Sequence, residues 1–255
     1  MLKYASWNVN SLKVRLPQVL DWIKSAQIDV LGLQETKMTD DVFPKAAFED
    51  LGYHVVFSGQ KTYNGVAVVS RYPIHDVVVD VPDFLDPQRR VMAVTIEGIR
   101  MINLYVPNGA AVDSEKYAYK LNWLQKVSTW IQSEMACHRA LLVMGDFNIA
   151  PQALDVHDES AWQGQVLVSP AERDAFKKLQ KLGLHDAFRC LHPDEVAFSW
   201  WDYRAAGFRR DLGLRIDHVL LSEALFQRCV AAGIDKEPRR SERPSDHAPV
   251  FVLIK

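Results

Sequence analysis

Six places in this chain set polar side chains directly against a short apolar run. Asn8 and Asn10 close the run that begins at Leu2. Gln34-Glu35 follow Val30-Leu31-Gly32-Leu33, and Tyr105 and Asn108 follow Met101–Leu104. Asp146 and Asn148 follow Ala140–Met144, Asp217 precedes His218–Leu221, and Ser245-Asp246-His247 precede Val250–Ile254. In an extended chain residues i and i+2 face the same way, so Asn8/Asn10 and Asp146/Asn148 are each expected to present two polar groups to one side. Singly, an Asn or Asp at such a place is an ordinary turn residue. Together, carboxylates, amides, a Tyr and a His, with no Cys-rich or multi-His cluster, describe a hard oxygen-donor site. Such a site suits Mg²⁺ or Mn²⁺, held by one or two carboxylates and several waters, better than zinc. The matching chemistry is phosphoryl transfer, in which a cation and fixed donors stabilise charge on phosphate oxygens. No Gly-x-Ser-x-Gly elbow, P-loop or dinucleotide glycine pattern points to the alternatives.

Strand-like runs that must carry these residues recur along the chain: Leu2–Trp7, Val30–Leu33, Val55–Ser58, Val66–Val69, Met92–Ile96, Met101–Tyr105, Ala140–Met144, His218–Leu221 and Val250–Ile254. Several are apolar throughout, as strands covered on both faces are. Between them, Tyr117, Leu121, Leu124, Ile131 and Met135 mark one face of a long helix. Ser169-Pro170-Ala171-Glu172 reads as a capping box with Pro in the first helical position, followed by a buried stripe of Phe176, Leu179 and Leu182 and a Gly183 C-cap. Pro151 to Ser169 shows no clear period and reads as a long functional loop. The expectation is one α/β domain over residues 1–255, with sheets packed inside helical layers.

The chain has 255 residues, 48% of them apolar, with no repeat, linker or low-complexity tract, so a single large core is available. No run is long enough to span a bilayer and no signal peptide opens the chain, so no membrane partner is expected. Cys137, Cys190 and Cys229 lack metal-ligand spacing; they read as core-packing residues of a protein from a reduced cytoplasm. A formal net charge of −2 excludes a polycation that coats nucleic acid and, on bulk charge alone, argues against a DNA partner.

The motifs override that argument. Trp7-Asn8-Val9-Asn10-Ser11-Leu12, Leu33-Gln34-Glu35-Thr36-Lys37, Ser58-Gly59-Gln60-Lys61 with Gly65-Val66-Ala67, Tyr105-Val106-Pro107-Asn108-Gly109, Gly145-Asp146-Phe147-Asn148-Ile149, Phe198-Ser199-Trp200-Trp201-Asp202-Tyr203, Gly213-Leu214-Arg215-Ile216-Asp217 and Ser245-Asp246-His247-Ala248-Pro249 occur in this order. With them the chain resembles the exodeoxyribonuclease III family of the endonuclease/exonuclease/phosphatase superfamily over essentially its whole length. The resemblance implies a DNase I-like four-layer α/β sandwich, two packed mixed sheets flanked by helices. It also implies a monomer that processes duplex DNA with Mg²⁺ or Mn²⁺ in base excision repair, acting at 3′ ends, nicks or gaps as a 3′→5′ exonuclease and 3′-phosphatase, and in many members cleaving abasic sites.

The resemblance and the chemistry suggest roles. Glu35 is the principal metal ligand, with Asn10, Asp146, Asn148 and Asp246 as further or water-mediated contacts. Asp146 is the general base, Asn148 orients the nucleophile and donates to phosphate, and Asn8 holds Asp146 or a metal water. His247 contacts phosphate, charged by Asp217 unless Asp217 is instead a structural partner of Arg215. Tyr105 donates to the leaving or a phosphate oxygen, or else is a buried Tyr with a satisfied hydroxyl. Asn108, Trp200, Leu214, Leu167, Arg89 and Arg90 are the expected DNA contacts, with Arg209-Arg210, Arg239-Arg240 and Arg243 as further basic clusters.

One segment departs from the family. Members that open abasic sites commonly carry a small residue where Leu167-Val168-Ser169-Pro170 places Leu167, and many carry Asn or Lys where this chain has Trp162 and Gln165. A branched side chain at a pocket rim hinders a flipped sugar inside continuous duplex more than a frayed 3′ end; the alternative is that Leu167 only packs. Two other functions stay open on sequence: a phosphoesterase of RNA or a small phosphoester, and a non-catalytic DNA-end binding module.

Overall fold

The computed structural model describes residues 1–255. Its strands are β1 (Leu2–Asn8), β2 (Val30–Gln34), β3 (His54–Ser58), β4 (Val66–Ser70), β5 (His75–Val79), β6 (Val91–Ile96) and β7 (Ile99–Tyr105), then β8 (Leu141–Asp146), β9 (Leu184–Asp186), β10 (Trp200–Trp201), β11 (Gly213–Leu214), β12 (Asp217–Ser222), β13 (Cys229–Ile234) and β14 (Val250–Ile254). Its helices are α1 (Leu12–Ser25), α2 (Lys45–Glu49), α3 (Glu115–Cys137), α4 (Glu159–Trp162), α5 (Pro170–Lys181), α6 (Ala187–Leu191) and α7 (Glu223–Phe226).

Two six-stranded sheets run in the orders β13-β14-β1-β2-β4-β3 and β5-β6-β7-β8-β12-β9. Each has a parallel pair at its centre, β1 with β2 and β7 with β8, and antiparallel neighbours around it. The central strands are buried along almost their whole length because both of their faces are covered. Along β8, Leu142 and Met144 join the core between the sheets, whereas Leu141 and Val143 pack with Trp123 and Val127 of α3 and Phe176 of α5. On the other side Ala5, Trp7, Leu31 and Leu33 pack against Val19, Trp22 and Ile23 of α1 and Phe48 of α2. The result is the expected four-layer sandwich of helix, sheet, sheet and helix.

A polar bridge crosses the inter-sheet core just beneath the strand ends. Gln34 Nε2 donates to Asn103 Oδ1 (2.6 Å) and Ser6 Oγ (3.0 Å), and Asn103 Nδ2 donates to the carbonyls of Leu33 (3.0 Å) and Ala67 (3.1 Å). Gly32 leaves room for it, since a Cβ there would lie 2.9 Å from Asn103 Oδ1. Buried amides with partners of this kind fix the registry of the two sheets more tightly than apolar contacts do.

Several sequence expectations change in detail. The cap at Ser169 and Glu172 forms as expected, with Pro170 opening α5. The buried face of α3 is Tyr117, Lys120, Trp123, Leu124, Val127, Trp130 and Ile131, so Leu121 lies at its border and a lysine lies within it. The segment between Pro151 and Ser169 holds a 3₁₀ turn, Ala153–Asp155, and α4. The cysteines are not core residues: Cys137 and Cys190 are exposed and Cys229 is half-buried. Cys137 is the last residue of α3, beyond its buried stripe, and Cys229 opens the edge strand β13. No helix is long and apolar enough to cross a membrane.

Candidate active site

The parallel pairs bring the ends of β1, β2, β7 and β8 to one rim of the sandwich. Register sets Asn8 beside Gln34, Tyr105 beside Asp146, and Asp217 beside Asp146. Asp146 follows Gly145, where a Cβ would stand 1.9 Å from the carbonyl oxygen of Leu104, so only glycine allows β8 its close approach to β7. The polar pairs expected from strand alternation do converge, by a different route. Beyond the strands the chain turns into the left-handed region at Asn10 (φ +41°), Glu35 (φ +54°) and Asn148 (φ +50°). Asx turns hold two of these bends: Asn10 N–H donates to Asn8 Oδ1 and Asn148 N–H to Asp146 Oδ1, each at 2.9 Å.

Asn8 joins the two sheets at this rim. Its Nδ2 donates to Glu35 Oε1 and to Asp146 Oδ2, each at 2.8 Å. The loop before β14 docks onto β1, with Ser245 Oγ donating to the Asn8 carbonyl (2.7 Å) and Trp7 Nε1 to that of His247 (3.2 Å). His247 Nδ1 then lies 2.9 Å from Asp217 Oδ2, with Nε2 3.7 Å from Asp146 Oδ2. Ser199 Oγ donates to Asp217 Oδ2 (2.7 Å) and orients that carboxylate. Arg215 does not compete for it, because its guanidinium is spent on Asp155 and Asp186.

The electrostatics follow from burial. Asp146, 1% exposed, has its carboxyl pushed well above the usual carboxylate range, first by burial and then by Asp217 and Glu35, while His247 and Asn8 pull it down. Burial opposes charge on His247, but Asp217 and Asp146 outweigh it and hold the imidazolium up at about 10. Tyr105 is raised well above the ordinary phenol value by burial, and further by Glu35 and Asp146, so its hydroxyl keeps its proton.

Ligand atoms of Glu35, Asp146 and His247 all lie within 4.8 Å of one another. With His247 held as a cation, the donors left to a metal are the Glu35 and Asp146 carboxylate oxygens, a set that fits a hard divalent cation completing its shell with water. A cavity of about 160 Å³ opens over them, lined by Tyr105, Asn108, Asn148, Leu167, Trp200 and Asp246 among others. It adjoins a groove of about 590 Å³ that shares Glu35, Tyr105 and Asn108 and carries Lys37, Arg90 and Lys116.

The sequence profile of the Endonuclease/Exonuclease/phosphatase family matches residues 5–247. The chain belongs to that family. It is 37% identical to exodeoxyribonuclease III of Haemophilus influenzae over 267 aligned positions that cover both chains fully. Among solved structures it is similar to a 3′ phosphatase, NExo, from Neisseria bound to a product DNA hairpin, with a TM-score of 0.98 and 46% identity over the whole of both chains. It is likewise similar to an AP endonuclease from Archaeoglobus fulgidus, with a TM-score of 0.97 and 40% identity over the whole of both chains.

Within this family fold most of the expected residues meet, and some take other positions. Asp246 turns from the Glu35–Asp146 cluster to accept from Asn10 Nδ2 (2.9 Å) and Trp200 Nε1 (3.0 Å). Asn148 directs its amide hydrogens at Val106 O (3.0 Å) and Asp146 Oδ2 (3.3 Å), so in this arrangement it steadies the Asp146 carboxylate rather than offering a free donor. Leu214 is fully buried and packs with Leu167, beside Trp200, under the cavity. Arg90 is buried against the Tyr105 ring, 4.5 Å from its centroid, whereas Arg89 pairs with Asp80 and stands apart from the groove lining.

Sequence reasoning missed Lys37, whose Nζ lies 2.9 Å from Glu35 Oε2 and 2.5 Å from Asn10 Oδ1, although it stands inside a quoted motif. It also missed Ser199 and Lys120. For Lys120 a signal existed: a lysine three residues after Tyr117 and four before Leu124 interrupts the apolar stripe of α3.

Proposed function

We propose that this chain is a metal-dependent repair phosphoesterase of duplex DNA, working chiefly at 3′ ends as a 3′→5′ exonuclease and 3′-phosphatase. One observation carries the reading: Asp146 and His247, the latter backed by Asp217, stand beside Glu35 on the floor of a cavity that adjoins a basic groove. Asp146, its proton affinity raised toward neutrality, removes a proton from water as the oxygen attacks phosphorus. The bond from phosphorus to the ester oxygen breaks on the far side. His247, held positive by Asp217, faces the negative oxygens of the phosphate, and the protonated Tyr105 donates to the leaving or a phosphate oxygen. Mg²⁺, with Mn²⁺ as a substitute, would be held by Glu35 and Asp146, with Asn10 and Asp246 behind them through water, and would supply positive charge to the phosphate oxygens.

The preference for ends rests on Leu167. It sits at φ +78° with its side chain 4% exposed, lining the cavity next to Trp200. Its N–H donates to Glu172 Oε1 (3.0 Å) and its carbonyl accepts from Ala150 N–H (2.8 Å), so the residue is pinned on both sides. A flipped sugar within continuous duplex meets this side chain, whereas a frayed 3′ terminus reaches the floor with less distortion. The same proposal includes a monomeric protein of the reduced cytoplasm, in keeping with three unpaired thiols.

The test uses matched duplexes carrying a 3′-phosphate, a plain 3′-hydroxyl or an abasic site, each with Mg²⁺ or EDTA. Expected are turnover of the first two, loss of all turnover in EDTA, and loss of turnover with binding retained in Asp146→Asn. Leu167→Gly is expected to raise abasic-site incision relative to 3′-phosphate removal. Full activity in EDTA refutes the metal chemistry, and equal wild-type activities unchanged in Leu167→Gly refute the preference.

A further inference from the structure

Behind the cavity, three segments of the site converge on one buried ion pair. Lys120 of α3 and Glu172 of α5 have side chains that are 0% exposed and meet at 2.5 Å. An ammonium has three hydrogens to give. Lys120 directs them at Glu172 Oε1, the Asn148 carbonyl (2.6 Å) and the Asn108 carbonyl (3.1 Å). Glu172 Oε1 also accepts the N–H of Leu167 (3.0 Å), and Oε2 accepts Ser169 N–H (3.1 Å) and Oγ (2.6 Å).

We infer that Lys120 and Glu172 act as a positioning pair that registers the Asn108 loop, the Asp146–Asn148 turn and the Leu167 rim against one another. The inference rests on the phosphoesterase reading of the site and adds residues to it. Its physical basis is that a buried ion pair is a poor source of net stability, since desolvation offsets most of its attraction. An apolar pair would fill the same space but could not grip two carbonyls and two backbone N–H groups at fixed lengths. The grip reaches the chemistry in one step: the residue whose carbonyl Lys120 holds is the residue whose own N–H holds Asp146 Oδ1. Asn148 is in the left-handed region, so its turn has no helix or sheet ladder of its own to keep it there. Slack at its carbonyl is therefore displacement of the base, and about 1 Å of misplacement costs a reaction on the order of 100-fold.

The test compares Lys120→Met with Ser169→Ala, which weakens the same node at the helix cap but touches no carbonyl of the site. Melting temperature, kcat and KM are measured on the 3′-phosphate duplex with Mg²⁺, well below each variant's melting point. Lys120→Met is expected to lose about 100-fold in kcat with KM changed less than about threefold. Ser169→Ala is expected to lose melting temperature while keeping kcat within about threefold. Glu172→Gln keeps an acceptor for Leu167 but removes the charge; a kcat loss of roughly tenfold is expected, and this variant decides the matter if Lys120→Met does not fold. Retention of kcat in a folded Lys120→Met, a rise in KM without a fall in kcat, or an equal kcat loss in Ser169→Ala each overturns the positioning role. An inactive wild-type protein would instead sink the phosphoesterase reading on which it stands.

Discussion

Asp217→Asn preserves the shape of the buried dyad and removes the charge that faces His247 across 2.9 Å. In the wild-type protein burial disfavours the imidazolium, yet Asp217 and Asp146 carry its pKa from the ordinary 6.5 to about 10. At about 1.4 kcal/mol per tenfold change in proton affinity, that gap is worth roughly 5 kcal/mol in favour of the charged folded form. The sign is that of a raised folded-state pKa: the contribution is fully present below pH 6.5 and is lost as pH rises toward 10. In the Asp217→Asn variant the imidazole loses the first of its two main supports while burial still acts, so its titration falls toward neutrality. The assay is kcat on a duplex 3′-phosphate from pH 6 to 9.5 with saturating Mg²⁺, beside urea melts at pH 7. The variant is expected to lose about 100-fold in kcat at pH 8, the scale of removing one preorganised charge stabiliser. Its alkaline limb should move from near 10 to near neutrality, and part of the activity should return at pH 6. An unchanged limb with unchanged kcat would refute the claim that a charged His247 serves the reaction.

His218 runs in the opposite direction: burial and then Arg215 lower its pKa to about 4, and its ring accepts from Arg215 Nη1 (3.0 Å) while Nε2–H donates to the Ile149 carbonyl (2.8 Å). The unfolded chain takes up this proton between 6.5 and about 4, so stability should drop by about 3 kcal/mol as pH falls through that window, and urea midpoints should show this slope abolished in His218→Gln. His218 also lies 3.8 Å from Asp186, a separation that would pair it if charged, but the hydrogen that Arg215 directs at Nδ1 requires the neutral ring. Gly145→Ala puts a Cβ 1.9 Å from the Leu104 carbonyl and should cost more than about 3 kcal/mol in a thermal melt, with turnover lost in what still folds; an unshifted melt would mean that β7 and β8 part freely.

The site was legible in the sequence to the extent that its parts are local. Asn8, Glu35, Asp146, Asp217 and His247 each sit at an apolar run, and a run ends where a sheet ends, so their types and places could be read together. The same reading could not see how they converge. It used strand alternation, whereas the molecule uses left-handed turns at Asn10, Glu35 and Asn148, two of them held by side chains two residues back. Helix α1 escaped notice because Pro17 lies inside it and only Leu12, Val19, Trp22 and Ile23 are buried. The edge strands β5 and β13 escaped because mixed burial leaves no clean period. Cysteine chemistry misled for a related reason: residue type states a preference for burial, but the end of a helix or sheet decides whether it is met.

Net charge failed as a guide to DNA for a reason the structure makes explicit. Buried charges such as Lys120 with Glu172, or Arg189 and Arg215 with Asp155 and Asp186, cancel locally and project little field. The remaining charge is divided unevenly. Glu35, Asp146, Asp217 and Asp246 are concentrated around one small cavity, and setting these four aside turns the formal −2 into +2 for the rest of the chain. The carboxylates that depress the total are the ones a cation and His247 would neutralise when a phosphate is bound. The groove beside the cavity carries Lys37, Arg90 and Lys116, and affinity for duplex should be modest and fall with salt. Acids gathered around one cavity and bases along the adjoining groove sum to a near-neutral chain, so the total carries no information about a DNA partner while the placement does.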